Sequence, residues 1–334
     1  MDLVLRNTAE TIKKKEVERA LKKESPTAYI GYATTGSMHI GHFTTIRKIA
    51  DFIDAGFHFK ILLADVHAEL DIEKTERKLV EKRAKYYKKA ISSMLKAAGI
   101  QDGYEFVLGS SFQFEESYQR GVMHMMENAS VTRAKRAVNE VVRHSDSMKA
   151  SALLYCFMQI QDVLALDVDV AFSGLDQRRI YMLGRELFSS LGLDNKLTCV
   201  FSPLLSGLSG GKMSSSDASS KISIHDEPAV VMEKMKDAYC PQAEKKENGV
   251  LEYLRYLLFP ILEGESKTFE IKRPEKFGGN ISFDTYKELE DAYLSDDIHP
   301  LDLKKAAGTY LVDILQPVRD GVPKHIIDAA YPNS

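Results

Sequence analysis

The stretch "AYIGYATTGSMHIGHFTTIRKIADFIDAG", Ala28 to Gly56, decides the fold. Its apolar start, Ala28–Thr34, predicts a short buried strand. A glycine turn follows, and His39–Gly56 has the apolar spacing of a helix that stops at glycine. Next comes "FKILLADVHA" (Phe59–Ala68), a continuous apolar run expected of a central parallel strand. The pattern then repeats. A charged helix is expected from about Ile72 to Ala98 and a strand at Tyr104–Ser111. Largely helical sequence runs over 115–165, with a strand at Val168–Gly174, a helix at Gln177–Gly192 and a strand at Leu197–Leu205. Strands alternating with helices predict a parallel sheet covered on both faces, with ligands beyond the carboxyl ends of its strands.

The alternation stops after "SGLSGGKMSSSDASSK" (Ser206–Lys221), a small-residue stretch that reads as a mobile loop. From His225 the chain reads as mostly helical, interrupted by strand-like "KTFEIKRP". A boundary near Ile224 therefore separates an α/β domain (1–224) from a helical one (225–334). At 334 residues, with 44% hydrophobic and 28% charged residues, the chain is long enough for two cores. A net charge of −3 argues against a protein that coats nucleic acid, though not against a local basic face. Cys156, Cys199 and Cys240 form no CxxC pair, which argues against a disulfide framework or a cysteine-rich zinc site and for a reducing cytoplasm. No targeting peptide and no run of membrane-spanning length is read.

His39 and His42, at i and i+3, share one face of the first helical turn. There they lie near free backbone N–H groups and the positive end of the helix dipole, where phosphate is attracted. Three readings are open: a metal pair, which lacks a convincing third ligand even with His67 nearby; helix-capping histidines; and donors to a phosphoryl group. "KMSSS" (Lys212–Ser216) sets an ammonium, hydroxyls and backbone N–H groups in a loop able to close over a triphosphate; alone, it also reads as a solvated linker. Further along, Tyr155, Gln159 and Asp162 are spaced 4 and 3 on an otherwise apolar helix. They form either a polar stripe facing solvent or another helix, or the convergent polar groups of a pocket. In the pocket reading, Asp162 and Tyr29 grip a phenolic hydroxyl, and Tyr155, Gln159 and Gln177 hold an ammonium.

"HIGH" early and "KMSSS" late in one α/β unit together resemble the class I aminoacyl-tRNA synthetases. "AYIGY", "LLADVHA", "GSSFQF", "YCFMQIQDV" and "VDVAFSGLDQRR" look like the tyrosyl-tRNA synthetases of archaeal and eukaryotic type, in the same order through nearly the whole chain. The resemblance implies a Rossmann-like catalytic domain, a helical connective insertion at about 115–150 and a C-terminal anticodon-binding domain. It implies ATP with Mg²⁺ as substrate, no protein-bound metal, and tyrosine and tRNA(Tyr) as partners of a cytoplasmic homodimer. His39, His42, Lys212, Ser214 and Ser215 would be catalytic. Tyr29, Leu62, Ala64, His67, Gln113, Tyr155, Gln159, Asp162 and Gln177 would form the tyrosine pocket, with Phe112 beside it. Gly31, Thr35, Gly36, Gly41, Gly174, Asp176 and Met213 would join the histidines and Lys212 around ATP. "IKRPEKFGGN" and "IHPLDLKK" resemble the anticodon-binding part, where Phe277, His299 and Pro300 would pack a base and Asp302 would accept from a guanine edge. "HPLDL" is equally a helix N-terminus. Arg136, on the basic helix "TRAKRAVNEVVRH", and Arg178 match positions used for the first base pair of the tRNA.

Runner-up readings are a tryptophanyl enzyme, a tyrosyl-type enzyme of altered specificity, a nucleotidyltransferase that does not use tRNA, and a non-catalytic tRNA-binding paralogue. The chain departs from the family pattern after "YIGY". An acidic residue and a proline are usual there; here stand Ala33 and Thr34. Ser173 replaces a commoner glycine. A carboxylate on the ATP side and a rigidifying proline are thus missing.

Overall fold

A computed structural model describes residues 1–71, 76–139, 141, 148–193, 197–211 and 220–332. Six strands form the main sheet: β1 (Glu10–Ile12), β2 (Thr27–Ala33), β3 (His58–Ala64), β4 (Tyr104–Leu108), β5 (Val170–Gly174) and β6 (Cys199–Ser202). Their order is β1-β6-β5-β2-β3-β4. The five strands β2 to β6 run parallel, as the alternation predicts. β1 corrects the all-parallel expectation, because it pairs antiparallel with β6. The chain leaves β2 toward β3 and β4, then returns to β2's other side for β5 and β6. The sheet therefore switches direction between β2 and β5, where a crevice opens beyond the strand ends.

Alternation along the strands sorts side chains between two cores. Ala28, Ile30 and Tyr32 of β2, Phe59, Ile61 and Leu63 of β3, and Phe172 of β5 face one core. Tyr29, Leu62, Ala64 and Ala171 face the other. Two-residue periodicity is what a strand imposes, so neighbours in sequence serve opposite layers. The first core is shared with helices Ile40–Asp54 and Val80–Ala97 and with later helices such as Pro300–Gly321. Helices Glu116–Glu127, Val131–Val138, Ala150–Ala165 and Arg178–Ser190 pack on the second.

Three boundaries differ from the sequence reading. The strand after Phe59 ends at Ala64, where Asp65–Leu70 turns into a helix. The charged helix runs Val80–Ala97, after a single 3₁₀ turn at Arg77–Leu79. The last strand holds only Cys199–Ser202. After residue 224 the structure is mostly helical, with β7 (Phe269–Ile271) and β8 (Ile281–Phe283) as an antiparallel pair. Only the first of these was anticipated.

Candidate active site

A cleft of about 670 Å³ opens over the carboxyl ends of β2 and β5. Tyr29, Gly31, Leu62, Ala64 and His67 line one side. Tyr155, Gln159, Asp162, Gly174, Asp176 and Gln177 line the other, and Thr35, His39, Gly41 and His42 line the mouth of the first helix. Gly36 adjoins this wall without lining it. Gln113 is fully buried behind Asp162.

His39 is the N-cap of helix Ile40–Asp54. Its Nδ1 accepts from Gly41 N at 3.2 Å, and Nδ1 of His42 accepts from His39 N at 3.2 Å. An imidazole that accepts at Nδ1 carries its proton on Nε2. Both rings are thus neutral donors, their planes tilted by 59° with centroids 4.1 Å apart. Burial lowers His39 to about 2, with His42 and Lys221 adding to the effect. Burial and Lys221 lower His42 to about 4. Lys221 was not singled out in the sequence. It comes close because Ile40 N bonds Ile222 O at 2.9 Å and Ile224 N bonds Met38 O, which draws the end of the KMSSS stretch alongside the histidines. Lys212, Met213, Ser214 and Ser215 lie outside the described residues, as does half of the loop expected at 206–221. Among the described residues no group of three His, Cys, Asp or Glu side chains is arranged to hold a metal.

Asp162 lines the cleft and is 1% exposed. Its Oδ1 accepts from Gln113 Nε2 at 2.7 Å and Tyr118 OH at 2.8 Å, and Oδ2 lies 3.8 Å from His67 Nε2. Burial pushes the carboxyl up to about 7, opposed by those two donors. Burial likewise lowers His67 to about 4. The His67 ring meets Tyr155 edge-on at 4.6 Å. Gln113 owes its position to Gly109, where a Cβ would come within 2.6 Å of Gln113 Oε1 and 2.8 Å of Asp65 Oδ1. Tyr29 OH is held 2.9 Å from Tyr181 OH. Sequence reading missed Tyr181 and Tyr118, since a tyrosine on an apolar helix face carries the pattern of any core residue.

Gln159 and Gln177 line the cleft with buried Oε1 atoms that have no hydrogen-bond partner. Buried unpaired acceptors are costly, and two of them on residues that line one cavity suit a ligand with several donors. Gln177 Nε2 donates to Asp176 Oδ2 at 3.1 Å. Of the positions departing from the family pattern, Ala33 and Ser173 line the cleft, while Thr34 is fully buried with an unpartnered Oγ1.

The remaining candidates lie away from the cleft. Arg136 is exposed on helix Val131–Val138. Arg178 makes two hydrogen bonds to the Glu10 carboxylate, Nη2 to Oε1 at 2.8 Å and Nε to Oε2. Phe277 is 60% exposed on a 3₁₀ turn. His299 caps helix Pro300–Gly321, its Nδ1 accepting from Leu301 N at 3.2 Å, with Asp302 in the first turn. Arg273 ties the two loops together by donating to Gly279 O and Asp297 O.

The family model for class I tRNA synthetases (W and Y) matches residues 21–316. A tyrosine–tRNA ligase of Natronomonas pharaonis is 48% identical over 99% of this chain and 97% of its own length. One from Methanopyrus kandleri is 40% identical over 96% and 97%. A tyrosyl-tRNA synthetase of Archaeoglobus fulgidus, solved with L-tyrosine, superposes with a TM-score of 0.90 at 36% identity, covering 96% and 98% of the two chains.

Proposed function

The chain belongs to the class I tRNA synthetases (W and Y), and from that membership and the cleft we infer that it is a tyrosine–tRNA ligase. It activates L-tyrosine with ATP, carried as the Mg²⁺ complex, and passes the tyrosyl group to the 3′ end of tRNA(Tyr). The tyrosine carboxylate attacks the α-phosphate in line. A P–O bond forms to the carboxylate, the bond to the bridging oxygen breaks, and pyrophosphate leaves. A hydroxyl at the tRNA end then attacks the acyl carbon and releases AMP.

One observation carries this reading: a polar pocket whose two ends differ, set beside two neutral histidines. The buried Asp162 with Tyr29 suits a phenolic hydroxyl. The unpartnered amide oxygens of Gln159 and Gln177, with Tyr155, suit an ammonium. Leu62, Ala64 and His67 flank the ring, and Gln113 orients Asp162 from behind. His39 and His42 present Nε2–H groups to charge developing on the α-phosphate; neutral, preorganised donors of this kind stabilise a transition state without covalent chemistry. Gly31, Thr35, Gly36, Gly41, Gly174 and Asp176 give the backbone and carboxylate surface for the nucleotide. Lys212, Met213, Ser214 and Ser215 keep the roles that the motif implies.

A division near Ile224 gives the catalytic part, with its insertion at about 115–150, and a second part that reads the anticodon through Phe277, His299, Pro300 and Asp302. The Arg273 bridge between their loops supports a shared surface. Arg136 and Arg178 would meet the acceptor stem, Arg178 exchanging Glu10 for phosphate. We read the enzyme as a cytoplasmic homodimer; among the described residues no helix is long and apolar enough to cross a membrane. The test is ATP–pyrophosphate exchange with tyrosine, tryptophan and phenylalanine in turn, followed by charging of a tRNA pool. Exchange with tyrosine and charging of tRNA(Tyr) are expected. Absence of tyrosine-dependent exchange refutes the reading.

A further inference from the structure

The loop 33–38 enters the HIGH helix and carries Thr35 at the cleft wall. Its own backbone closes one tight turn, Thr35 N to Ala33 O at 2.9 Å. Three side chains that do not line the cleft reach this loop. Arg83 Nη1 donates to Thr35 O. Tyr87 OH donates to Gly36 O at 2.7 Å, and Tyr331 OH donates to the same oxygen at 2.7 Å across 295 positions of sequence. A carbonyl oxygen has two lone pairs, so Gly36 O is saturated by two hydroxyls from distant elements. Met38 N, at the far end of the loop, donates to Tyr86 OH at 3.0 Å.

These donors form one unit. The Tyr331 ring stands edge-on to Tyr86 with centroids 5.1 Å apart, and the Arg83 guanidinium carbon lies 4.9 Å from the Tyr331 ring centre. Arg83 Nε donates to Ala330 O at 3.3 Å, so one guanidinium grips both the loop and the segment bearing Tyr331. Simple docking of helix Lys324–Ala330 needs apolar contact only. It does not need three donors converging on two consecutive carbonyls of the cleft loop.

We propose that Tyr331, acting with Arg83 and Tyr87, is a positioning residue for the nucleotide end of the cleft. It touches no substrate. It fixes Gly36, and through Gly36 the wall at Thr35 and the approach to His39. The brace does for this loop what a rigid residue at position 34 would do from within. The proposal rests on reading this end of the cleft as the ATP side.

Tyr331→Phe keeps the ring over Arg83 and against Tyr86 and removes only the hydroxyl. In pyrophosphate exchange it raises KM for ATP about three- to tenfold, the worth of one hydrogen bond, and leaves KM for tyrosine at its wild-type value. Tyr87→Phe shifts the same parameter in the same direction. Hydrogen exchange of the wild-type and Tyr331→Phe proteins without substrates supplies a readout independent of activity. The hydrogen-bonded amides of Thr35 and Met38 lose protection while those of the Val80–Ala97 helix do not. Unchanged loop protection overturns the brace. So does an equal rise of both KM values with a fall in melting temperature, which is the signature of a structural role alone. Loss of loop protection with KM for ATP unchanged upholds the brace mechanically and refutes its link to ATP. A wild type inactive in exchange, with the loop protected as described, refutes the ligase reading instead.

Discussion

Asp162→Ala is the sharpest perturbation of the proposed tyrosine pocket. A hydrogen bond to a charged or buried acidic partner contributes about 1.5–3 kcal/mol, and about 1.4 kcal/mol is tenfold in rate. Removing this acceptor should therefore cut the preference for tyrosine over phenylalanine by roughly 10- to 150-fold. A hydroxyl-reading site can start from about 10⁴–10⁵, so a residual preference owed to Tyr29 is expected. The stability cost follows from which donors are stranded. Tyr118 OH keeps a partner, Met158 O at 2.8 Å. Gln113 Nε2 keeps only a 3.5 Å contact with His67 Nδ1. One orphaned buried amide costs about 1–3 kcal/mol, offset in part because the buried carboxyl is gone. The assay is kcat/KM for both amino acids in pyrophosphate exchange, beside urea unfolding without ligand. If both values of kcat/KM fall by the same factor, Asp162 supports the fold of the pocket and does not read the hydroxyl.

Three more perturbations test the site. His42→Ala removes an Nε2–H donor and should lower kcat for tyrosine activation by roughly 10²–10³-fold, the scale of one oxyanion donor, with KM for tyrosine little changed; a pure KM effect would contradict transition-state donation. Gly109→Ala places a Cβ 2.6 Å from Gln113 Oε1 and 2.8 Å from Asp65 Oδ1, so the Gln113 amide must shift against Asp162 and the tyrosine/phenylalanine ratio should fall without any change to a pocket-lining residue; an unaltered ratio counts against Gln113 as the residue that orients Asp162. Asp162 has an ordinary pKa of 3.8 that burial lifts to about 7 in the fold, so the folded state binds this proton more tightly than the unfolded chain. The stability it contributes is fully present below about pH 4 and lost as pH rises through about 7. Asp162→Asn removes that dependence, and its melting temperature relative to wild type should climb between pH 5 and 8, a flat difference refuting the assignment.

Much of the fold was legible because the first unit states its periods plainly. A short apolar run at Ala28–Ala33, buried on both faces, and a helical stripe from Ile40 leave little choice of element. "LLADVHA" was misread because an apolar run has no period to mark where a strand becomes a helix. The turn at Asp65 depends on a distant donor, Ser110 N to Asp65 Oδ1 at 2.9 Å. β1 left no signal because three half-buried residues, Glu-Thr-Ile, do not alternate. Pocket residues could be named where spacing on one helix gathers them, as with Tyr155, Gln159 and Asp162. Tyr181 and Tyr331 could not, since a hydroxyl's partner across 152 or 295 positions is set by packing alone.

The histidines show why a capping reading and a catalytic one need not compete. Each Nδ1 accepts a backbone N–H at the start of the helix, which a capping residue does. That same bond excludes the tautomer with a proton on Nδ1 and leaves the proton on Nε2, which line the cleft. Burial then prevents the second protonation. A charged imidazolium would attract phosphate more strongly in the ground state as well as in the transition state, and uniform binding does not accelerate chemistry. A neutral donor fixed by the helix start gains most where charge develops. The helix cap therefore determines the chemistry available to the ring, and the i, i+3 spacing of His39 and His42 is the sequence record of both.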